Sequence, residues 1–259
     1  MKVLVEKDTP VTTVSINRPE RRNAVDVETA GLLREAFEDF EQDDAQAVAV
    51  LCGTGETFCA GYDLKSVAEE GFDEDSGLFN PEADGPMGPS RMLLKKPVIA
   101  AVEGYAVAGG LELSLWCDMR VASKTAQFGV FCRRWGVPLI DGGPVRLPRV
   151  IGMSRAMDMI LTGRAVDAEE ALVFGLANRV VAAGQARAEA EKPAHEIGRF
   201  PQLCLQADRR SAHQQWGMDI GEALKNEGQG GIAPLRQEAG SGAQRFAGGK
   251  GRGGDFGNI

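Results

Sequence analysis

Lys96-Pro97-Val98-Ile99-Ala100-Ala101-Val102-Glu103-Gly104-Tyr105-Ala106-Val107-Ala108-Gly109-Gly110-Leu111-Glu112-Leu113 is the stretch on which the reading of this chain turns. Its apolar run Val98 to Val102 has the length of a buried strand, and Met119 to Ala122 is a second such run. Between them, Gly109 to Cys117 reads as helix, so strands and helix alternate as in β-α-β units and predict an α/β fold. A strand that enters a glycine-rich turn and then a helix leaves the first helical N–H groups without internal partners. They stand at the positive end of the helix dipole, where an anion or a developing oxyanion is held. A lone Gly109-Gly110 pair would serve tight packing equally well, so the segment gains meaning only from a second one like it.

That second segment is Gly53-Thr54-Gly55-Glu56-Thr57-Phe58-Cys59-Ala60-Gly61-Tyr62-Asp63-Leu64, which follows the apolar strand Ala47 to Leu51 and again turns into a helix. Two such turns supply one amide each. Working outward, Val3 to Glu6 and Thr12 to Ile16 read as a β-hairpin joined through Asp8, Thr9 and Pro10. Val27 to Phe40 places Leu32, Leu33, Ala36, Phe37 and Phe40 on one helical face, with Asp26 as its cap. Glu69 to Pro89, rich in Gly, Pro, Asp and Glu and without a period, predicts a long surface excursion rather than core. From about Val166 onward helices dominate: Ala168 to Phe174, Gln185 to Ile197, Leu203 to Lys225 and Leu235 to Phe246. The glycine-rich tail Ala247 to Ile259 is expected to fray unless a neighbouring subunit orders it. The expected division is a core over 1–190 and a helical C-terminal region over 191–259, and no internal repeat is visible.

At 259 residues, with 43% hydrophobic and 25% charged residues, the chain has the composition of an ordinary packed protein rather than a disordered or fibrous one. No stretch approaches the roughly 20 apolar residues of a membrane span, and Met1 to Pro10 lacks the order of a secretory leader, so a cytoplasmic location is expected. The cysteines Cys52, Cys59, Cys117, Cys132 and Cys204 are odd in number and none is spaced for zinc or redox chemistry, which predicts reduced thiols. A formal charge of −8 argues against nucleic acid as a partner. It does not argue against an anionic substrate, since a polyphosphate handle needs only a few local cations or helix N-termini.

The segments Phe58-Cys59-Ala60-Gly61-Tyr62-Asp63-Leu64 and Gly104 to Leu113 resemble the paired oxyanion-hole motifs of the crotonase (enoyl-CoA hydratase/isomerase) superfamily, F-x-A-G-x-D-L and G-x-A-x-G-G-G-x-E-L. Further matches in the same order are Asn17-Arg18-Pro19 with Asn23-Ala24, Cys117-Asp118, Ala126-Gln127-Phe128-Gly129, and Leu161-Thr162-Gly163-Arg164 before Ala168 to Leu176. The resemblance implies an α/β spiral of ββα repeats with a helical C-terminal region used for oligomerisation, in homotrimers or hexamers. It implies that the Tyr62 and Gly109 amides point at the thioester oxygen of an acyl-CoA, and that Glu112, three residues after Gly109 on the same helical face, is the catalytic carboxylate.

Cys132 stands where hydratases of the superfamily have a second glutamate, and it is either a proton donor, with Arg133 or Arg134 lowering its pKa, or a small apolar filler, the reading preferred here. Asp141, in Pro138-Leu139-Ile140-Asp141-Gly142-Gly143, either replaces that missing acid or caps a turn. For coenzyme A, which arrives as part of the substrate, the resemblance suggests Arg22 and Ala24 on either side of Asn23, then Ala60 and Asp63, and from a neighbouring subunit Phe246 and Lys250, although Arg22 and Lys250 read equally well as solvated surface charges. No separate cofactor and no metal are expected. His195 and His213 read as structural or surface residues. Enoyl-CoA hydratase is the favoured activity, with an enoyl-CoA isomerase using one carboxylate, or an acyl-CoA-binding protein without catalysis, as alternatives.

Overall fold

The computed structural model describes residues 1–71, 78–255 and 257. Strands β1 (Val3–Asp8) and β2 (Val11–Ile16) form the expected antiparallel hairpin. Helix α1 (Val27–Gln42) begins at Asp26, whose carboxylate accepts from the Thr29 N–H at 2.8 Å, a cap that contributes about 1 kcal/mol. Its buried face is Leu33, Ala36, Phe37 and Phe40, with Leu32 at the margin. Then follow β3 (Val48–Gly53), α2 (Leu64–Glu70), β4 (Val98–Val102), β5 (Tyr105–Val107), α3 (Gly109–Trp116), β6 (Met119–Ser123) and β7 (Gln127–Gly129). Helices α4 (Gly143–Ile151) and α5 (Met153–Thr162), strand β8 (Ala165–Asp167), helix α6 (Ala168–Phe174) and strand β9 (Arg179–Val181) complete the core chain. Helices α7 (Ala186–Gly198), α8 (Gln202–Gln214), α9 (Ile220–Gln237) and α10 (Ala239–Ala247) end it.

Among the described residues the strands form a six-stranded sheet, β1-β2-β3-β4-β6-β9, parallel from β2 onward, and a three-stranded sheet, β5-β7-β8. Successive passages of the chain place one strand in each sheet: β4 then β5, β6 then β7. Cys59, bridged to Ala106, extends the smaller sheet by the passage that begins with β3. This is the ββα spiral, and its repeat is one of geometry, carried by strands of three residues that leave no period in the sequence.

Side chains alternate across each strand, and the inner strands β2, β3, β4 and β6 are buried on both faces, as strands of a parallel sheet are. In β3, Val48, Val50 and Cys52 join Val11, Ile99, Ala101 and Val121 against Ala186, Ala190 and Ala194 of α7. Ala49 and Leu51 face the other way, into the main core with Phe37, Phe40, Leu111 and Leu113 from α1 and α3. The core boundary expected at residue 190 falls inside α7, whose alanines allow the helix to lie close on the sheet, so sheet packing continues to the end of that helix.

Three readings of the sequence are corrected. The helix expected over Leu203 to Lys225 is two, because a 3₁₀ turn over Gln215–Gly217 stops α8 and Asp219 accepts from the Glu222 N–H to start α9. Likewise α9 runs on through Leu235 and breaks at Glu238 before α10, so Leu235 to Phe246 is not one helix. The third concerns the excursion Glu69 to Pro89. Residues 72–77 lie outside the described residues, as do 256, 258 and 259 of the tail, but Gly85 to Ser90 is buried rather than on the surface. Glycine there permits close approach: a side chain at Gly88 would run into the Ala30 and Leu33 turn of α1. Helix α8 is tied to the core by Arg209, which donates to both oxygens of Asp118 at 2.9 Å.

Candidate active site

The first turn lies beside the chain that precedes α1. Ala60 N–H donates to the Arg22 carbonyl at 3.1 Å, Val25 N–H to the Gly61 carbonyl at 2.8 Å, and Asp63 N–H to the Val25 carbonyl at 2.9 Å. In such a parallel bridge the residue between the two bonded groups, Tyr62, directs its own amide to the side away from Val25. Gly61 holds φ at +98°, a conformation closed to most side chains, and its N–H donates to the Cys59 sulfur at 3.4 Å. The Cys59 thiol is therefore part of the turn, and burial pushes its pKa up to about 12.

The second turn joins β5 to α3. Ala108 adopts φ 54° and ψ −125°, which costs a non-glycine residue about 1–3 kcal/mol, and its N–H donates to the Gly129 carbonyl at 2.9 Å. The superfamily motif has glycine at this position, and the conformation explains why. After the bend, Gly109 opens α3 with an N–H that the helix itself cannot satisfy. A Cβ on Gly61 would lie 3.0 Å from the Gly109 nitrogen, so the two turns are in contact, and Tyr62 and Gly109 line the same cavity, of about 110 Å³.

Glu112 lines that cavity too, one helical turn on, and is only 2% exposed. Its Oε1 accepts from the Asp141 N–H at 2.9 Å and the Gly143 N–H at 2.8 Å. Burial first, and then the neighbouring Asp141 charge, push its pKa up to about 8, although the two amides and Arg146 favour the ionised form. A carboxyl so poised can take a proton and give it back near neutral pH.

Cys132 and Asp141 complete the polar lining. Burial raises the Cys132 pKa and the Glu112 charge raises it further, against a smaller lowering by Arg133, which favours the filler reading over that of a proton donor. Arg133 opposes only in part: its Nε donates to the Ile160 carbonyl, while Arg134 donates to the Gly163 carbonyl and stacks over Phe131. Asp141 is not a turn cap. Its Oδ1 accepts from the Met87 N–H at 3.0 Å and from the Ser90 hydroxyl, and the turn at residues 141–143 is held by Glu112 instead. The apolar lining includes Met87, Phe131, Trp135, Val137 and Ile140. None of these carries a sequence signal of function; they are found only by where the chain puts them.

Of the residues suggested for coenzyme A, Arg22 is exposed at the edge of the first turn, Ala60 lines the cavity, and Ala24 is buried between them in sequence. Asp63 stands at the start of α2: its carboxylate is buried, accepts from the Lys65 and Ser66 N–H groups to cap that helix, and pairs with Arg18 at 3.0 Å. Burial opposes its ionised form, but Arg18 and those amides outweigh it and hold the pKa below the usual range. Arg18, itself buried, also meets Asp26 at 3.1 Å and so ties the α1 cap to the first turn, a role that its place in Asn17-Arg18-Pro19 does not reveal. Phe246 and Lys250, on and just after α10, are exposed and line none of this cavity, as do neither His195 nor His213. No helix among the described residues is long and apolar enough to cross a membrane, and none of their His, Cys, Asp and Glu side chains are grouped in threes to hold a metal.

A spiral of ββα units here brings two glycine turns and a buried carboxylate to one cavity, the arrangement that the crotonase motifs imply. The chain belongs to the Enoyl-CoA hydratase/isomerase family, whose sequence profile matches residues 6–247. It is 38% identical over 252 residues to enoyl-CoA hydratase EchA19 of Mycobacterium tuberculosis (strain ATCC 25618 / H37Rv), covering 94% of this chain and 92% of the relative. It is 39% identical over 218 residues to carnitinyl-CoA dehydratase of Proteus mirabilis (strain HI4320), covering 83% and 81%. The crystal structure of enoyl-CoA hydratase EchA1 from Mycobacterium marinum superimposes with a TM-score of 0.87 at 32% identity, over 95% of each chain. The crotonase fold implied by the sequence motifs is thus the fold of this protein.

Proposed function

We propose that the protein is an enoyl-CoA hydratase, adding water across the double bond of a 2-enoyl-CoA. The observation that carries this reading is the meeting of the Tyr62 and Gly109 turns with Glu112 in one cavity. As hydroxide equivalent adds to the β-carbon, negative charge gathers on the thioester oxygen, and the two backbone amides stabilise it there. Such donors are rigid and do not titrate, and losing one costs about 3–4 kcal/mol in comparable sites. Glu112 takes the proton from the attacking water. The same carboxyl then returns a proton to the α-carbon, a double duty suited to a pKa pushed up to about 8. Cys132, whose thiol is held neutral by burial, fills space beside it. The names of the hydratase and dehydratase relatives support the reaction type, since dehydration is hydration run backward.

The coenzyme A portion lies along the first turn, with Arg22 toward a phosphate and Ala24 and Ala60 beside it, and Phe246 and Lys250 reach it from a neighbouring copy in a homotrimer or a pair of trimers. Glu112→Gln tests the whole reading. It keeps the shape and the acceptor oxygen but not the basicity, so kcat falls at least about 100-fold while acyl-CoA affinity changes little. Unchanged turnover removes Glu112 from the chemistry. A second reading, enoyl-CoA isomerase, draws on the thiol at Cys132 in place of a second carboxylate. Turnover of a 3-enoyl-CoA exceeding that of its 2-enoyl isomer would favour it, and tight binding of both without turnover of either would mean a binding protein.

A further inference from the structure

The mechanism above leaves Asp141 without a role, although it is 4% exposed and bears on the cavity. Its bonds run in two directions. Its Oδ1 accepts from the Met87 N–H and the Ser90 hydroxyl, which belong to the buried stretch Gly85 to Ser90. Met87 is fully buried, and a Cβ on Gly109 would lie 2.5 Å from its sulfur, so this stretch roofs the second amide turn. In the other direction, the Asp141 N–H donates to Glu112 Oε1 at 2.9 Å. Arg146 braces both sides, donating to the Asp141 carbonyl at 2.9 Å and to the Ser90 carbonyl at 2.8 Å. Arg91 donates to the Ile140 carbonyl at 3.2 Å.

We infer that Asp141 is a positioning residue for the reaction: its carboxylate fastens the Met87–Ser90 roof over the Gly109 amide while its backbone N–H seats Glu112. The inference rests on Glu112 being the base. It assigns Asp141 no proton transfer, and this separates it from a substitute for a second catalytic acid. An oxygen that accepts from two donors needs to be an acceptor, not an acid, and an asparagine carbonyl oxygen meets that need. What asparagine lacks is the charge. The charged and titratable groups around Asp141 are Glu112 and Cys132 in the cavity, Cys59 in the first turn, Arg91 beyond the roof and Arg146 from α4; the Asp141 charge raises both Glu112 and Cys59, but only Glu112 comes to a value near neutrality.

The test is the pH dependence of kcat and kcat/KM on a 2-enoyl-CoA for Asp141→Asn, Asp141→Ala and Ser90→Ala, with folding checked by circular dichroism. Asp141→Asn keeps kcat within about threefold at its optimum, and the acidic limb of its kcat/KM profile moves about one unit toward lower pH as Glu112 is relieved of a neighbouring charge. Asp141→Ala loses about 100-fold in kcat through misplacement of the roof and the base. A loss in Asp141→Asn as deep as in Asp141→Ala would make Asp141 an acid and overturn the inference, and wild-type kinetics in Asp141→Ala would overturn it as well. Should Asp141→Ala not fold, Ser90→Ala removes one roof bond and leaves the charge, with kcat/KM expected about tenfold down; an unchanged value there contradicts the fastening. Glu112→Gln measured alongside separates the two claims: if it is active the hydratase reading fails, and if it is inactive while Asp141→Asn matches Asp141→Ala, only this inference fails.

Discussion

Glu112 illustrates how one residue's environment makes its chemistry. Near the start of α3 a glutamate ordinarily complements the helix dipole and stays ionised. Here burial and the Asp141 charge reverse that, pushing the pKa up to about 8. The folded value lies above the unfolded one of about 4.3, so the stabilising effect of the neutral carboxyl is complete below pH 4.3 and is lost as pH rises through 8. Glu112→Gln has no such ionisation. Its melting temperature should therefore gain on that of the wild-type protein between pH 5 and pH 9 in scanning calorimetry, and a constant difference would contradict the raised pKa. At Cys132, 5% exposed and neutral, the filler reading predicts that Cys132→Ala keeps turnover within a few-fold. A fall of about 10² to 10⁴ with the fold intact is what loss of a general acid would look like, and would return the α-proton step to the thiol.

At the scale of elements, the two turns and α3 divide the glycines by what they touch. Gly109 faces the flexible end of Met87, and proline is tolerated at the first position of a helix. Gly109→Pro is thus expected to fold, to lack one oxyanion donor, and to lose at least about 100-fold in kcat. Gly110 instead abuts the Cys59 carbonyl, a backbone atom that cannot step aside. Gly110→Ala should cost about 1–3 kcal/mol of stability in urea unfolding, whatever it does to turnover. Were both variants equally active and equally stable, the close approach of the two turns would be wrong.

At the scale of the molecule, the core and the C-terminal helices differ in what they leave uncovered. Along α9 and α10, Ile220, Leu224, Leu235 and Phe246 are exposed, Ile220 by 77% and Leu235 by 69%. Exposed large apolar side chains on two successive helices are what a neighbouring copy would cover. The homotrimer proposed above would cover them, so sedimentation should give a particle of about three chains, and Leu235→Asp should shift it toward the 27.6 kDa single chain. A wild-type particle of one chain would remove both the trimer and the reach of Phe246 and Lys250 to a neighbour's site.

The sequence by itself determined the alternating strands and helices, the two glycine turns, Asp26 as a cap and Glu112 on the Gly109 face, because each rests on local period, turn chemistry or spacing along one element. It also carried the family motifs. Only the tertiary structure decided which groups those turns meet. Asp63 and Asp141 have the same carboxylate and both are buried, yet Arg18 holds one well ionised as a cap while the other fastens a roof fifty residues away. Gly85 to Ser90 had the composition of a surface loop, and became part of the site because its glycines let backbone approach backbone and because a distant aspartate bonds to it. Such contacts join residues far apart in the chain, and no local pattern of residue types encodes them.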